Sequence, residues 1–365
     1  MSESTRLPQA DTAGAPQAAG KKPFIKVAAG LILRPDGQLL LAQRPDDKPW
    51  AGWWELPGGK IEAGESNLEA LARELREELG IQITNASPWV TYTHEYPKNI
   101  VELAFCRVYG WTGTPIGLEN QELAWVDPTQ ALPVGPLLPA TEPPLRWLQL
   151  PEHYLITSIG HQSALAPYLE KLCQALQQGL RLVQFREPAW MGVSEADTYA
   201  ALKKIVQMCH EAGARCLVNS AHPESWWTQA DGVHFRAADA RARLSSIASL
   251  PDDGGKHASP IAREDTTPKA EIGKTWGLVG VSAHDAADLA TARTLGADFA
   301  VLGHVLDTPS HPGQPGMGWE KFASLSAQAG LPVFAIGGQS PATQADARQH
   351  GAHGIAGIRH LIDQD

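Results

Sequence analysis

Two patterns of hydrophobic spacing follow one another along this chain. From Phe24 the apolar positions mark strands: Ile25 to Leu33 and Gln38 to Gln43 are apolar segments joined by Arg34-Pro35-Asp36-Gly37. The Asp-Gly pair predicts a β-hairpin at the start of the domain. A Trp-rich loop (Trp50, Trp53, Trp54) leads to Pro57-Gly58-Gly59, and then the period changes. Leu68, Leu71, Ala72, Leu75 and Leu79 recur at helical spacing. Ser66 with Glu69 three residues on forms a capping box, and Gly80 is a helix stop, so a helix is predicted over Asn67 to Leu79. Strand-like segments return at Trp89 to Tyr92, Val101 to Val108 and Leu123 to Val126, which makes this half a mixed α+β domain.

Prolines then crowd between Asp127 and Pro151 around one helical candidate, Glu142 to Leu150, and a domain boundary is expected near Leu150. Beyond it come short apolar runs at Tyr154 to Thr157, Leu180 to Phe185, Cys216 to Asn219, Gly232 to Phe235, Leu278 to Ser282, Phe299 to Gly303, Val333 to Ile336 and Gly354 to Gly357. Eight β units separated by helix-length segments in about 210 residues match a (β/α)₈ barrel. The stretch Pro251 to Lys274 interrupts the pattern and is expected to be a long mobile loop. The expected division is a disordered tail over 1–22, a first domain over 23–150 and a barrel domain over 151–365.

Composition narrows the function classes. The 365 residues are 43% hydrophobic and 19% charged, enough for two cores. A net charge of −10 argues against direct nucleic-acid or anionic-membrane contact, so a phosphate-bearing substrate must be captured locally, by a cation cofactor and a few basic side chains. The four cysteines (Cys106, Cys173, Cys209, Cys216) form no Cys-x-x-Cys pair, which predicts neither disulfides nor a zinc knuckle and suits a reducing cytoplasm. The N-terminus lacks a signal-peptide pattern, and no apolar run is long enough for a membrane span.

The chemistry concentrates in Gly59-Lys60-Ile61-Glu62-Ala63-Gly64-Glu65-Ser66-Asn67-Leu68-Glu69-Ala70-Leu71-Ala72-Arg73-Glu74-Leu75-Arg76-Glu77-Glu78-Leu79-Gly80-Ile81. Glu74, Glu77 and Glu78 stand at i, i+3 and i+4, so their carboxylates share one side of the helix. The alternative is a solvated acidic face. Like charges at that spacing cost roughly 0.2–0.5 kcal/mol per pair, and Glu77 and Glu78 sit in the last turn, where the helix dipole disfavours anions. A hard divalent cation with oxygen ligands, Mg²⁺ or in its place Mn²⁺, would offset that repulsion. Gly58 and Gly59 would let backbone and substrate approach it closely.

The segment resembles the Nudix box, Gly-x5-Glu-x7-Arg-Glu-(apolar)-x-Glu-Glu-x-Gly-(apolar), with Gly59, Glu65, Arg73, Glu74, Leu75, Glu77, Glu78, Gly80 and Ile81 filling every defined position. That resemblance implies a Nudix α/β/α sandwich, Glu77 and Glu78 as metal ligands, Glu74 as a ligand or as the base for the attacking water, Arg73 as the residue orienting a box carboxylate, and a carbonyl lent by Gly58. A wider resemblance, over about Phe24 to Leu150, is to MutT-type 8-oxo-dGTP diphosphatases. It rests on Gln43-Arg44, Glu55-Leu56-Pro57-Gly58-Gly59-Lys60-Ile61-Glu62, Glu95-Tyr96-Pro97, and Glu119 before Trp125. It implies that Glu119 completes the metal site and that Arg44 meets the phosphates, with Gly59 beside the substrate. The family's Ala-Asn-Glu-Pro, whose Asn reads the oxidised guanine, is here Ala140-Thr141-Glu142-Pro143, so Thr141 offers one hydroxyl in place of an amide.

From about His153 to Ile362 the chain resembles thiamine-phosphate synthases and their TenI-like relatives, through Tyr154-Leu155-Ile156-Thr157, Val183-Gln184-Phe185-Arg186-Glu187, Leu217-Val218-Asn219, Asp231-Gly232-Val233-His234, Gly280-Val281-Ser282, Gly296-Ala297-Asp298-Phe299 and Ala335-Ile336-Gly337-Gly338. The resemblance implies a TIM barrel. Gly337, Gly338 and Gly357 would present backbone N–H groups to the phosphate of a thiazole or thiamine phosphate; the alternative is that these glycines only form tight turns. The synthase pattern is broken where it wants Lys after Arg-Glu (Pro188), Asn-Asp (Asn219-Ser220), Gly-Gln (Arg236-Ala237) and a loop lysine (His311). The late histidines (His304, His311, His350, His353, His360) show no metal spacing and are assigned no role.

The expectation is therefore a cytoplasmic Mg²⁺-dependent hydrolase. It would cleave a nucleoside triphosphate, 8-oxo-dGTP first, to the monophosphate and pyrophosphate, and carry a barrel of unsettled activity: synthase, isomerase or sensor. The rivals are a Nudix hydrolase for a thiamine-pathway pyrophosphate, and a ligand sensor with a non-catalytic barrel.

Overall fold

The computed structural model describes residues 22–248 and 276–363. The tail expected over 1–22 lies outside the described residues except for Lys22, whose ammonium is anchored to Glu95 (2.6 Å) and to the Tyr96 carbonyl. The loop expected over Pro251 to Lys274 lies wholly outside them.

The first half is built from β1 (Phe24–Ile32), β2 (Leu39–Gln43), β3 (Trp54–Glu55), β4 (Gly58–Lys60), helix α1 (Asn67–Leu79), β5 (Gln82–Glu95), β6 (Ile100–Thr112), β7 (Leu123–Val126) and helix α2 (Glu142–Leu148). A four-stranded sheet runs β4-β1-β6-β5 and a three-stranded sheet runs β3-β2-β7. The hairpin expected at Asp36-Gly37 is therefore corrected. Its turn is present, but β1 and β2 share only the Leu33–Leu39 bridge and part into different sheets. The reason is that both edges of β1 are taken, by β4 on one side and in parallel by β6 along its whole length on the other.

Helix α1 forms as its sequence predicts: Ser66 accepts from the Glu69 N–H, Glu69 reaches back to the Ser66 N–H, and Gly80 closes the helix at φ 66°. Its apolar face, Leu71, Leu75 and Leu79, packs on Ala28, Ile32, Leu40 and Cys106. The opposite side of the strands packs Leu31, Trp54, Trp89 and Phe105 against Leu145 and Trp147 of α2, so strands lie between two helices. Burying three leucines contributes about 1.5–3 kcal/mol each, which fixes the acidic side of α1 against β4.

The second half closes β8 (His153–Ile156), β9 (Leu182–Phe185), β10 (Arg215–Asn219), β11 (Gly232–Phe235), β12 (Leu278–Ala283), β13 (Phe299–Gly303), β14 (Val333–Ile336) and β15 (Gly354–Gly357) into an eight-stranded parallel barrel. Each falls on one of the eight apolar runs. Its interior is filled by Tyr154, Leu182, Leu217, Phe299, Phe334 and Ala356.

The halves meet through buried charge. Arg107 on β6, only 3% exposed, donates to His353 Nδ1 (2.8 Å), to the His353 carbonyl (3.1 Å) and to Glu152 (3.1 Å). Its guanidinium also lies over the Trp89 ring at 4.3 Å. Glu152 further pairs with Arg348 and accepts from Gln344. With Nδ1 accepting, His353 donates from Nε2 to the Leu150 carbonyl (3.0 Å), and burial beside Arg107 holds its pKa well below the usual histidine value. His353, assigned no role from sequence, is thus a neutral connector between the domains.

Candidate active site

The acidic helix faces two glycines, of which Gly58 meets backbone and Gly59 meets a helix carboxylate. A Cβ on Gly59 would stand 2.3 Å from the Glu74 carboxylate, and one on Gly58 (φ 143°) would stand 2.1 Å from the Ala28 carbonyl. Removing both Cβ atoms lets β4 lie directly on the carboxylates of α1.

The site's carboxylates fall into two groups, each held by protein cations. Arg73 donates to Glu65 (2.8 and 2.9 Å), to Glu74 (2.8 Å), to the Lys60 carbonyl (2.9 Å) and more weakly to Glu77 (3.4 Å). The Arg73 guanidinium, with a backbone N–H, pulls the Glu65 pKa down to about 2. The second group gathers around Glu78, which accepts from the Gly58 N–H at 3.3 Å. Burial and the nearby Glu119 carboxylate push the Glu78 pKa up to about 7. Glu119 itself is paired with Lys48 at 2.5 Å. Glu77 is well exposed and belongs to the Arg73 group. Among the described residues no three Asp, Glu, His or Cys side chains close on one point as a finished metal cage. The donor chemistry nevertheless fits a hard divalent cation, because Glu78 is a mostly buried carboxylate facing a second carboxylate, with one long hydrogen bond and the nearby Lys48 ammonium as the groups that offset the repulsion.

Arg44, expected to meet phosphate, is forked onto Glu55 (2.6 and 2.7 Å) and donates from Nε to the Pro49 carbonyl. Burial raises the Glu55 pKa against the pull of Arg44. Thr141 is buried at the end of a short turn (Pro139–Thr141) whose Ala140 backbone contacts the Tyr96 hydroxyl. Tyr96 in turn lies 6.1 Å from the Trp50 ring and 4.5 Å from His94. The structure thus gathers the turn that carries Thr141, Trp50 and the Arg44–Glu55 pair around Tyr96. Lys48 escaped the sequence reading, since a lysine in a polar loop carries no local signal that its partner is Glu119.

In the barrel, Gly337, Gly338 and Gly357 all line a cavity of about 800 Å³ at the C-terminal ends of the strands. Gly337 and Gly338 have positive φ, and a Cβ on either would strike the His304–Leu306 segment. For these two, tight packing is a sufficient reason for glycine, whereas at Gly357 a Cβ would meet only ordinary contacts. The lining includes Arg186, Arg236, His284, His304, His311 and Arg359, and among the described residues none of it is Asp or Glu. Asp239, close by, is taken up by Arg236 (2.6 and 3.0 Å) and by Ser220 (2.5 Å). Beneath the mouth Asn219 donates to Gln184 and Gln184 to the Tyr154 hydroxyl, which leaves Tyr154 to donate to His234 Nδ1 and His234 Nε2 to donate to Ser282. Full burial pushes the His234 pKa down to about 3, so it is neutral.

Comparison with known proteins divides the chain in the same way. A family model described as NUDIX domain matches residues 23–148. One described as Thiamine monophosphate synthase matches residues 153–249 and 262–361. An 8-oxo-dGTP diphosphatase of Haemophilus influenzae is 44% identical over 119 residues, 33% of this chain and 87% of that protein. A CTP pyrophosphohydrolase of Escherichia coli is 45% identical over 120 residues, 33% of this chain and 87% of that one. A putative thiamine-phosphate synthase of Geobacter sulfurreducens is 30% identical over 211 residues, 57% of this chain and 85% of that one.

Proposed function

The chain belongs to the Nudix family in its first half and to the thiamine monophosphate synthase family in its second, and on that premise we propose that it is an Mg²⁺-dependent nucleoside triphosphate pyrophosphohydrolase with 8-oxo-dGTP as first substrate. The observation that carries this reading is the close approach of the Gly58-Gly59 backbone to the Glu74 and Glu78 carboxylates, beside which Glu119 adds a further acidic group. Gly58 O, Glu74, Glu77, Glu78 and Glu119 would hold the cation, which when bound supplies charge neutralisation on the phosphates and acidifies water. A box glutamate takes one proton of the water that attacks the β-phosphorus. The bond from that phosphorus to the oxygen bridging to the α-phosphate breaks, giving nucleoside monophosphate and pyrophosphate. Arg73 keeps the box glutamates aimed during this step. Thr141, beside Tyr96, would face the base. The test is a panel of 8-oxo-dGTP, dGTP, CTP and thiamine diphosphate with Mg²⁺, products separated. Pyrophosphate release led by 8-oxo-dGTP supports the assignment; preference for CTP moves it to cytidine nucleotides, and preference for thiamine diphosphate moves it to the thiamine-pathway alternative.

For the barrel, the basic lining of the mouth favours binding of a phosphate-bearing ligand, such as thiazole or thiamine phosphate, while Pro188 and Ser220 stand where the synthase pattern has the lysine and aspartate that would hold a metal-bound pyrophosphate. Synthesis of thiamine phosphate should accordingly be lacking while ligand binding persists. Calorimetry with thiamine phosphate and a synthase assay on the whole chain test both halves of that statement; turnover of about 1 s⁻¹ or faster would reverse it.

A further inference from the structure

The loop between β2 and β3 carries a cation that the proposed reaction has not yet used. Lys48 Nζ sits 2.5 Å from Glu119 and also within the field of Glu78. It is held there by a compact loop: the Lys48 N–H donates to the Pro45 carbonyl, Gly52 N–H to the Arg44 carbonyl, and Trp53 N–H to the Trp50 carbonyl. The Arg44 side chain fixes the Pro49 carbonyl, and Trp50, a non-glycine residue at φ 64°, turns its ring between Trp53 and Tyr96. This is backbone held in a sparsely populated region beside a site, where such strain tends to be functional.

We propose that Lys48 is a built-in counter-cation for the Glu78–Glu119 pair, displaced when a divalent cation binds there and then free to meet the phosphates of the substrate. The inference rests on the metal reading above. The ammonium and the divalent ion compete for the same Glu119 carboxylate, whose Oε2 the ammonium holds. The Lys48–Glu119 pair is more than a third exposed on both sides, so opening it costs little. A lysine on a four-carbon stem is suited to such an exchange, because its point charge can swing without a fixed geometry. The loop that carries it leads directly into Trp50, beside the proposed base position, so the move would couple metal loading to substrate capture. Lys48 therefore has opposite effects on two ligands, opposing the cation and holding the phosphates.

Opposite effects are what the test reads. Mn²⁺ binding to the full chain is measured by electron paramagnetic resonance with no nucleotide present, and KM and kcat are measured separately at saturating Mg²⁺. Lys48→Met keeps the stem and removes the charge; it should bind Mn²⁺ on the order of tenfold more tightly while KM for the triphosphate rises and kcat changes less. Lys48→Arg, which keeps the charge, should bind Mn²⁺ as the wild type does. Unchanged or weaker Mn²⁺ binding by Lys48→Met overturns the proposal while leaving the metal site standing. If Mn²⁺ binds Glu78→Gln and Glu119→Gln as well as it binds the wild type, the metal reading has failed and this proposal falls with it.

Discussion

Replacing Arg107 by methionine tests whether the two halves are one cooperative unit. The guanidinium is buried and its Nη atoms serve His353 Nδ1, the His353 carbonyl and Glu152. Glu152 keeps Arg348 and Gln344 when Arg107 is lost. The two His353 acceptors keep nothing comparable, and each buried acceptor left without a donor costs roughly 1–3 kcal/mol. Two effects moderate the loss: Arg107 Nε has no partner to lose, and an apolar chain avoids the desolvation of a buried charge. The expectation is a destabilisation of roughly 2–4 kcal/mol, which for domains of 150–250 residues lowers Tm by roughly 2–4 °C per kcal/mol. Guanidinium unfolding followed by tryptophan fluorescence and by circular dichroism should show one coincident transition in the wild type. In Arg107→Met it should show an earlier transition, or two. Adding His353→Leu should recover only the share due to Nδ1, because the His353 carbonyl stays unpaired and the Leu150 carbonyl loses its Nε2 donor; the double variant should nevertheless lose less than the sum of the two single variants. An unchanged midpoint in the single variant, or simple additivity in the double variant, would refute the argument that unpaired His353 acceptors carry the cost.

Three further outcomes are expected. Glu78→Gln should keep the fold and lower kcat by several orders of magnitude, because a neutral amide is a poorer Mg²⁺ ligand; steady-state kinetics at saturating Mg²⁺ with circular dichroism of the purified variant check it. Thr141→Asn should raise the kcat/KM ratio of 8-oxo-dGTP over dGTP, by an amount set by roughly 1–3 kcal/mol for a buried hydrogen bond, and an unchanged ratio would remove Thr141 from the base pocket. Stability should fall with acid: the folded-state pKa values of His222 (down to about 4), His234 (down to about 3) and His353 (well below the usual value) all lie under the unfolded value of about 6.5. Protons therefore favour the unfolded chain, so stability is full above about pH 6.5 and is lost as pH drops towards the folded values, by up to 1.4 kcal/mol per pH unit per histidine. Urea midpoints from pH 8 to 4.5 measure it, and His353→Gln should flatten the decline.

How much of this could be read from the chain alone depended on the distance over which each feature is decided. Helix α1 was legible because its limits are local, a capping box at Ser66 and a left-handed stop at Gly80. The barrel strands were legible because strands covered on both faces are short continuous apolar runs, as in Leu217-Val218 and Phe299-Ala300-Val301. Strand pairing was not legible in the same way. The Asp36-Gly37 turn is real, yet whether β1 pairs with β2 depends on β4, which arrives later in the chain and takes the edge that Arg34 turns toward Gln38. The carboxylates of the site were visible through their helical spacing, but their partners were not. Lys48 finds Glu119 across 71 positions and Arg107 finds His353 across 246, and neither residue has neighbours that announce the contact.

The orientation of the barrel has a consequence for why two such domains share one chain. His353 and Glu152, which meet the first domain, stand just ahead of β15 and β8, whereas Gly338 and Ser282 at the mouth follow or end their strands. In a parallel barrel those are opposite poles. Whatever leaves the glutamate cluster must travel around the barrel wall through open water, where it is diluted into the surrounding pool before it could reach the other pole. The fusion therefore cannot work as a private conduit. It fixes a one-to-one ratio of hydrolase and barrel, and lets the mouth loops diverge, as Pro188, Ser220 and His311 have done, with no steric bearing on the hydrolase behind them.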